Sequence, residues 1–358
     1  MNNLDSVNDI LLAIVSLLIR GDEEKLKYLA EYLGKVKDRN SLERVVEFVS
    51  RNNVGYLLYN LLNEVCHENT ELGILLKPLA IHTLKKTRYR NELLRNVVKV
   101  FETEGIDYVV FKTFNSIGVV DVDIDVIIRP EDYERGVLAL IKGGLIPIDS
   151  ISKTYETGFM IKRNPIVLDL HTDVTVLGVP YVSRDLIFEN TTKQRYKTCG
   201  NEVIYLNVTS PPIEALIRIA HAVIKEAQIC LDDLVEVHKA LRHSLADIME
   251  LVKLESLEPA FNTFLAVLNK VSDIKCLNSL NNILRSSFAK KQTFNYLRNE
   301  LPPYYLPRLV TTLILIHRLR ERRELYRAFK AITHLRYRRS ASHIGRTLIT
   351  RIPMLIKH

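Results

Sequence analysis

The sequence predicts an α+β protein, and three observations carry that prediction. Residues 6–104 keep the apolar spacing of helices, the period switches to that of strands at Ile106, and helical spacing returns at Ser210. The strand-rich stretch between them reads β-β-α-β-β over about 85 residues. That order differs from the regular strand–helix alternation of a doubly wound parallel sheet.

Each element has its own warrant. "VNDILLAIVSLLIRG" is apolar all round and stops at Gly21. "SLERVVEFVSRN" predicts a helix with Ser41 as N-cap and Glu43 in its first turn. "VGYLLYNLLNEV" follows, and then a long segment with Leu93, Leu94, Val97, Val98, Val100 and Phe101 at helical spacing, ending at Gly105 as C-cap. "IDYVVFK" is β-branched and aromatic, so it reads as a buried strand, and "VDVDIDVII" alternates as a second. "PEDYERGVLALIKGG" is a helix opened by Pro130 and closed by Gly143 and Gly144. "KTYETGFMIK" and "PIVLDLHTDV" are two strands around a turn at Arg163, Asn164 and Pro165. "SPPIEALIRIAHAVIKE", capped by Ser210, and "CLDDLVEVHKALRH" are helices, and "PPYYLP" marks a break after them. The expected organisation is a helical region over 1–104, an α+β core over 105–208, a helical bundle over 209–300 and a basic helical tail over 301–358.

Composition narrows the function classes. Hydrophobic residues make up 47% of the 358, enough for a full core, and Gly and Pro are sparse. Cys66, Cys199, Cys230 and Cys276 form no CxxC pair, which argues against a zinc ribbon and a disulfide-stapled secreted domain. "ILLAIVSLLI" is too short to span a bilayer and follows acids rather than a basic leader, so a cytoplasmic protein without a transmembrane segment is expected. The net charge of +8 is uneven. From Leu301 to His358 there are 13 Lys/Arg against two acids, or +11, leaving 37 against 40, or −3, elsewhere. Arg320, Arg323, Arg327 and Lys330 share one face of the expected tail helix, with Tyr326, Phe329 and Tyr337 nearby, a composition suited to phosphate contact and base stacking.

The acidic strand raises the chemical question. Asp121, Asp123 and Asp125 alternate with apolar residues, so all three face one side. Crowded like charges need a cation or open solvent. Magnesium takes oxygen ligands, commonly one or two carboxylates with phosphate and water. A DxD pair supplies two, and alternation alone allows either Asp121 with Asp123 or Asp123 with Asp125. Asp169, in "VLDLH", supplies a third from another apolar strand. His171 shares the face of Asp169, either as a ligand or substrate contact or as a hydrogen-bonded strand-end side chain.

"DVDIDVII", followed some forty residues later by "VLDLH", resembles the catalytic pattern of the DNA polymerase β-type nucleotidyltransferase superfamily, in particular an uncharacterised nucleotidyltransferase-like branch. The resemblance runs over roughly residues 45–245 and takes in "NNVGYLLYNLL", "GIDYVVFK", "RPEDYERGVLALIKGGL" and "ALIRIAHAVIKEAQICLDDLVEVHKAL". It implies a small mixed β-sheet nucleotidyltransferase core flanked by N-terminal and C-terminal helical regions. It also implies Asp123 and Asp125 as paired ligands of Mg²⁺ or Mn²⁺, Asp169 as the third catalytic carboxylate, and transfer of a nucleoside monophosphate from an NTP to RNA, a protein or a small molecule. Where the family has Gly-Ser or Lys-Gly before its DxD, this chain has Lys112 and Thr113, with Ser116 downstream. Lys112 would supply phosphate charge and Thr113 or Ser116 the hydroxyl, but the glycine that permits close backbone approach is absent. The alternative implied by that departure is a catalytically inactive nucleotidyltransferase-fold protein that binds nucleic acid or a partner protein through its basic C-terminal region.

Overall fold

A computed structural model describes residues 7–66, 70–148, 156–176, 179–197, 203–272 and 301–322. The helices are α1 (Val7–Arg20), α2 (Glu23–Gly34), α3 (Arg39–Arg51), α4 (Gly55–Val65), α5 (Glu71–Glu104), α6 (Tyr133–Lys142), α7 (Arg184–Glu189), α8 (Pro211–Ala220), α9 (Leu231–Leu254), α10 (Glu258–Ser272) and α11 (Arg308–Glu321). The strands are β1 (Tyr108–Phe111), β2 (Asp123–Ile128), β3 (Ile146–Ile148), β4 (Glu156–Met160), β5 (Val167–His171), β6 (Thr175–Val176), β7 (Val179–Pro180), β8 (Thr191–Lys197), β9 (Val203–Thr209), β10 (Gln228–Ile229) and β11 (Tyr304–Tyr305). The chain divides into two compact units. One comprises Met1–Arg88, Lys112–Asp121 and Pro211–Ile314, the other Tyr89–Phe111, Val122–Ser210 and Leu315–His358.

The first unit is helical. α1 packs against α2, α3, α9 and α10, and α8 packs along α9. Its core includes Leu11, Val15, Leu33, Val45, Leu216 and Phe264, all essentially without solvent contact. The helix starts explain themselves by capping. Asp22 accepts the Lys25 amide at 3.2 Å at the head of α2. At α3 the cap is Asp38, not Ser41: the Ser41 amide (2.9 Å) and hydroxyl (2.6 Å) both donate to the Asp38 carboxylate. Ser41 therefore sits inside the first turn, because an ionised acid three residues earlier outcompetes its hydroxyl for the free amide.

The second unit is built on a seven-stranded sheet in the order β3-β4-β5-β2-β1-β9-β8. β2 with β5 and β1 with β9 run parallel, and the remaining pairs are antiparallel, so the fold is α+β with a mixed sheet. One face is apolar. Ile124, Val126, Ile128, Leu168 and Leu170 have no solvent exposure, and burying five such side chains contributes on the order of 10 kcal/mol relative to leaving them in water. Against this face lie the end of α5 and α6. A Cβ added at Gly136 on α6 would come within 2.9 Å of Ile128 and 3.8 Å of Phe101, and one added at Gly143 within 2.6 Å of Val100. α5 ends at Gly105 in the left-handed region (φ +60°), where the Ile106 amide bonds back to the Phe101 carbonyl at 2.9 Å.

The sequence reading passes over β3, β8, β9 and α7. α6 is preceded by a single 3₁₀ turn, Pro130–Asp132, so Pro130 opens that turn rather than the α-helix proper. Cys66 and Cys230 are free, half-buried thiols. No helix among the described residues is long and apolar enough to cross a membrane. Arg320 is exposed near the end of α11, whereas Arg323, Arg327 and Lys330 lie outside the described residues.

Candidate metal centre

The parallel register of β2 and β5 sets Asp125 directly across from Asp169. Alternation keeps both carboxylates on the face opposite Ile124, Val126, Leu168 and Leu170, and puts Asp123 and His171 on that same face. Ligand atoms of Asp125, Asp169 and His171 all lie within 4.8 Å of one another, a group that can hold a metal ion. Asp123 stands one pleat earlier in β2, opposite Val167 rather than an acid, and Asp121 precedes the strand.

The neighbours shape this group. His171 Nε2–H donates to Asp125 Oδ1 at 2.9 Å. The imidazole is itself seated against Phe111, ring centroids 5.4 Å apart, and Phe111 is the residue opposite Asp125 on β1. On the other side, β4 presents Gly158 across from Asp169. A Cβ there would meet Asp169 Oδ1 at 3.6 Å and Val167 at 3.5 Å, which is ordinary contact. Gly158→Ala is thus expected to be tolerated, while Gly158→Leu extends into the Asp169 carboxylate and should weaken any divalent-ion binding there by at least tenfold, as read by metal titration. The exit of β5 is pinned by Arg184, whose guanidinium donates to the Thr172 carbonyl and to the Asp173 carboxylate, each at 3.3 Å. Burial pushes the Asp173 carboxyl up, partly offset by Arg184.

Two unit charges about 5 Å apart at a protein-like dielectric repel by on the order of 3 kcal/mol, a repulsion that a bound cation would relieve. Two carboxylates, one of them oriented by the His171 imidazole, suit a divalent ion that takes oxygen ligands.

The sequence-predicted phosphate residues Lys112, Thr113 and Ser116 belong to the helical unit. Lys112 adopts φ +55°, a strained value for a residue with a side chain. Glu214 of α8 accepts its amide at 3.0 Å, and its ammonium donates to His221 Nε2 at 3.2 Å. Thr113 is buried. The Ser116 amide and hydroxyl both donate to Glu236 of α9, the hydroxyl at 2.6 Å, and Asn115 closes the turn onto Val119 through two hydrogen bonds.

Arg218 ties this loop to α8 and α9. It is 1% exposed. Its Nε donates to Glu214 (2.8 Å), Nη1 to Asp232 (3.1 Å) and Asp233 (3.2 Å), and Nη2 to the carbonyls of Lys112 (2.9 Å) and Phe114 (3.0 Å). Cys230, Asp232 and Asp233 form a second group with ligand atoms within 4.8 Å, but there the Arg218 guanidinium already supplies the cation. Sequence reasoning placed no role on Arg218, Glu214 or Glu236. The signal available was a charged pair four residues apart inside the otherwise apolar "IEALIRIAHAV".

Burial beside Asp232 holds the Asp233 carboxyl above its ordinary value. A raised carboxyl pKa means that the folded chain keeps a proton the unfolded chain has lost. Asp233 therefore costs nothing below the ordinary carboxylate range, and its penalty grows as pH rises from that range until its folded-state pKa is passed. Asp233→Asn, which keeps an oxygen facing Arg218, is expected to gain stability relative to wild type across that interval. Thermal melts at a series of pH values would show the gap widening upward, and a constant gap would contradict the assignment.

Compared with protein-family models, with curated proteins and with solved structures, the chain has no significant match in any of the three.

Proposed function

We propose that the protein is a metal-dependent nucleotidyltransferase that moves a nucleoside monophosphate from an NTP to an acceptor hydroxyl or phosphate, the acceptor oxygen bonding to the α-phosphorus as pyrophosphate leaves, with Asp123, Asp125 and Asp169 holding Mg²⁺ or Mn²⁺. The observation that carries this reading is the register that sets Asp125 across from Asp169 on adjacent parallel strands, with His171 beside them. Such an ion neutralises phosphate charge and lowers the barrier to in-line displacement at phosphorus. The chain's own residues do the positioning. His171 orients the Asp125 carboxylate, Gly158 leaves Asp169 its space, and Asp123, one pleat earlier, extends the acidic face to a nucleotide-bound cation. The resemblance of "DVDIDVII" and "VLDLH" to the DNA polymerase β-type superfamily supports the same assignment.

The test is incubation of the full chain with each labelled ribonucleoside triphosphate, Mg²⁺ or Mn²⁺, and either RNA or the protein itself as acceptor. Label transfer that disappears in Asp125→Asn is expected. Absence of transfer in every combination, or equal transfer by the variant, would overturn the reading.

One observation favours a second reading. The amides of Lys112 and Ser116, where the family pattern expects phosphate contact, are taken by the carboxylates of Glu214 and Glu236. This supports a nucleotidyltransferase fold without catalysis that binds nucleic acid or a partner protein. Binding of a triphosphate, measured by calorimetry in the presence of Mg²⁺, separates the two: the enzyme requires it and the inactive descendant lacks it.

A further inference from the structure

The edge strand β8 carries Lys193, Arg195 and Lys197 at alternate positions, all exposed, and no acid. Alternation puts the three cations on one face of the sheet, each about 6.8 Å from the next along the strand. The antiparallel register sets Arg195 opposite Tyr205 of β9. Tyr205 is 51% exposed, and the Lys193 ammonium lies 5.8 Å from its ring centroid, so the aromatic ring belongs to the same face as the cations. The other face of this hairpin is spoken for: Tyr196 donates to Asn91 of α5 at 2.8 Å, and α5 lies on the apolar side of the sheet.

Tracing alternation across the sheet locates this strip. Val110 of β1 is in register with Val208 of β9, and Phe111 with Asp125 of β2. Phe111, Asn207 and Tyr205 therefore share a face, and it is the face of Asp125 and Asp169. From β8 to β2 there are three inter-strand steps, about 14 Å.

We infer that the β8–β9 face is a docking strip for single-stranded nucleic acid, with Lys193, Arg195 and Lys197 on successive phosphates and Tyr205 stacking on a base. Cations repeated along an extended strand match a backbone of evenly repeated phosphates, and an exposed ring among them favours a ligand that also carries π-faces over bare polyphosphate or a lipid surface. Lysines on an edge strand also discourage edge-to-edge pairing, but that purpose requires neither a single face nor an aromatic. The strip makes single-stranded nucleic acid the acceptor class of the proposed transferase; that extension rests on the catalytic reading, whereas the binding does not.

The experiment is fluorescence anisotropy of a labelled twelve-nucleotide oligo-rU with the full chain, without NTP or divalent ion, over a range of salt. The triple variant Lys193→Gln/Arg195→Gln/Lys197→Gln is expected to bind at least tenfold more weakly, with the log–log salt slope reduced by about 2. Tyr205→Ala should lose about tenfold and Tyr205→Phe almost nothing. Binding lost in the triple variant with no transfer activity in wild type would keep the strip and remove the enzyme; transfer to RNA with unchanged binding by the triple variant would do the reverse. The inference is overturned if the triple variant binds as wild type does, if it merely self-associates while keeping its affinity, or if linear polyphosphate of equal charge competes as well as the oligonucleotide.

Discussion

Asp169→Asn is expected to lower the rate of nucleotidyl transfer by on the order of a thousandfold, equivalent to about 4 kcal/mol of transition-state stabilisation. The substitution keeps shape and hydrogen-bonding capacity and removes one charge. Asp169 faces Asp125 across a parallel strand pair, so losing that charge also relieves repulsion. The unfolding temperature should accordingly stay the same or rise. This combination, activity lost with stability kept, identifies a carboxylate whose charge serves an ion rather than the fold. Asp125→Asn should behave alike, although it also weakens the His171 hydrogen bond. Steady-state transfer assays paired with thermal melts would check both. A rate within tenfold of wild type in either variant would remove that residue from the site.

The second large effect is on stability. Arg218→Ala is expected to cost about 3–5 kcal/mol, the range for breaking a buried charge network from one side. Every donor position of this guanidinium is used: Nε on Glu214, Nη1 on two aspartates and Nη2 on two carbonyls. Alanine leaves Asp232 and Asp233 facing each other without their cation. It also frees the Lys112 and Phe114 carbonyls, so the strained backbone at Lys112 loses part of what holds it. Arg218→Lys should recover little, because a single ammonium cannot reproduce the planar fork. Denaturant unfolding followed by fluorescence at neutral pH would measure the loss. A change under 1 kcal/mol would mean that the network is not a determinant of the helical unit.

The reach of the sequence differed from element to element. β1 was legible as a β-branched and aromatic run, and β2 and β5 through the alternation of apolar residues with acids. α5 was legible through its apolar period and its stop at Gly105. β8 was not: "TTKQRYK" is polar on both faces because it is an edge strand, and hydrophobic alternation has nothing to report there. The acidic face itself could be read, since periodicity places Asp123, Asp125 and Asp169 on strand faces without further information. Which acid meets which could not, because it depends on β5 lying parallel beside β2 although β3 and β4 separate them in sequence. The Arg218 network was hidden for a related reason. Its partners Lys112 and Phe114 lie more than a hundred residues away in sequence, and no local pattern encodes that encounter.

The proposed function requires that the carboxylates of Asp123, Asp125 and Asp169 hold a divalent cation. Electron paramagnetic resonance of Mn²⁺ titrated into the full chain tests it most directly, because free and bound Mn²⁺ are counted without any assumption about catalysis. At least one saturable Mn²⁺ site is expected in the wild type, competed by Mg²⁺, and one fewer in a folded Asp125→Asn/Asp169→Asn variant. The same number of bound ions in both proteins would contradict it.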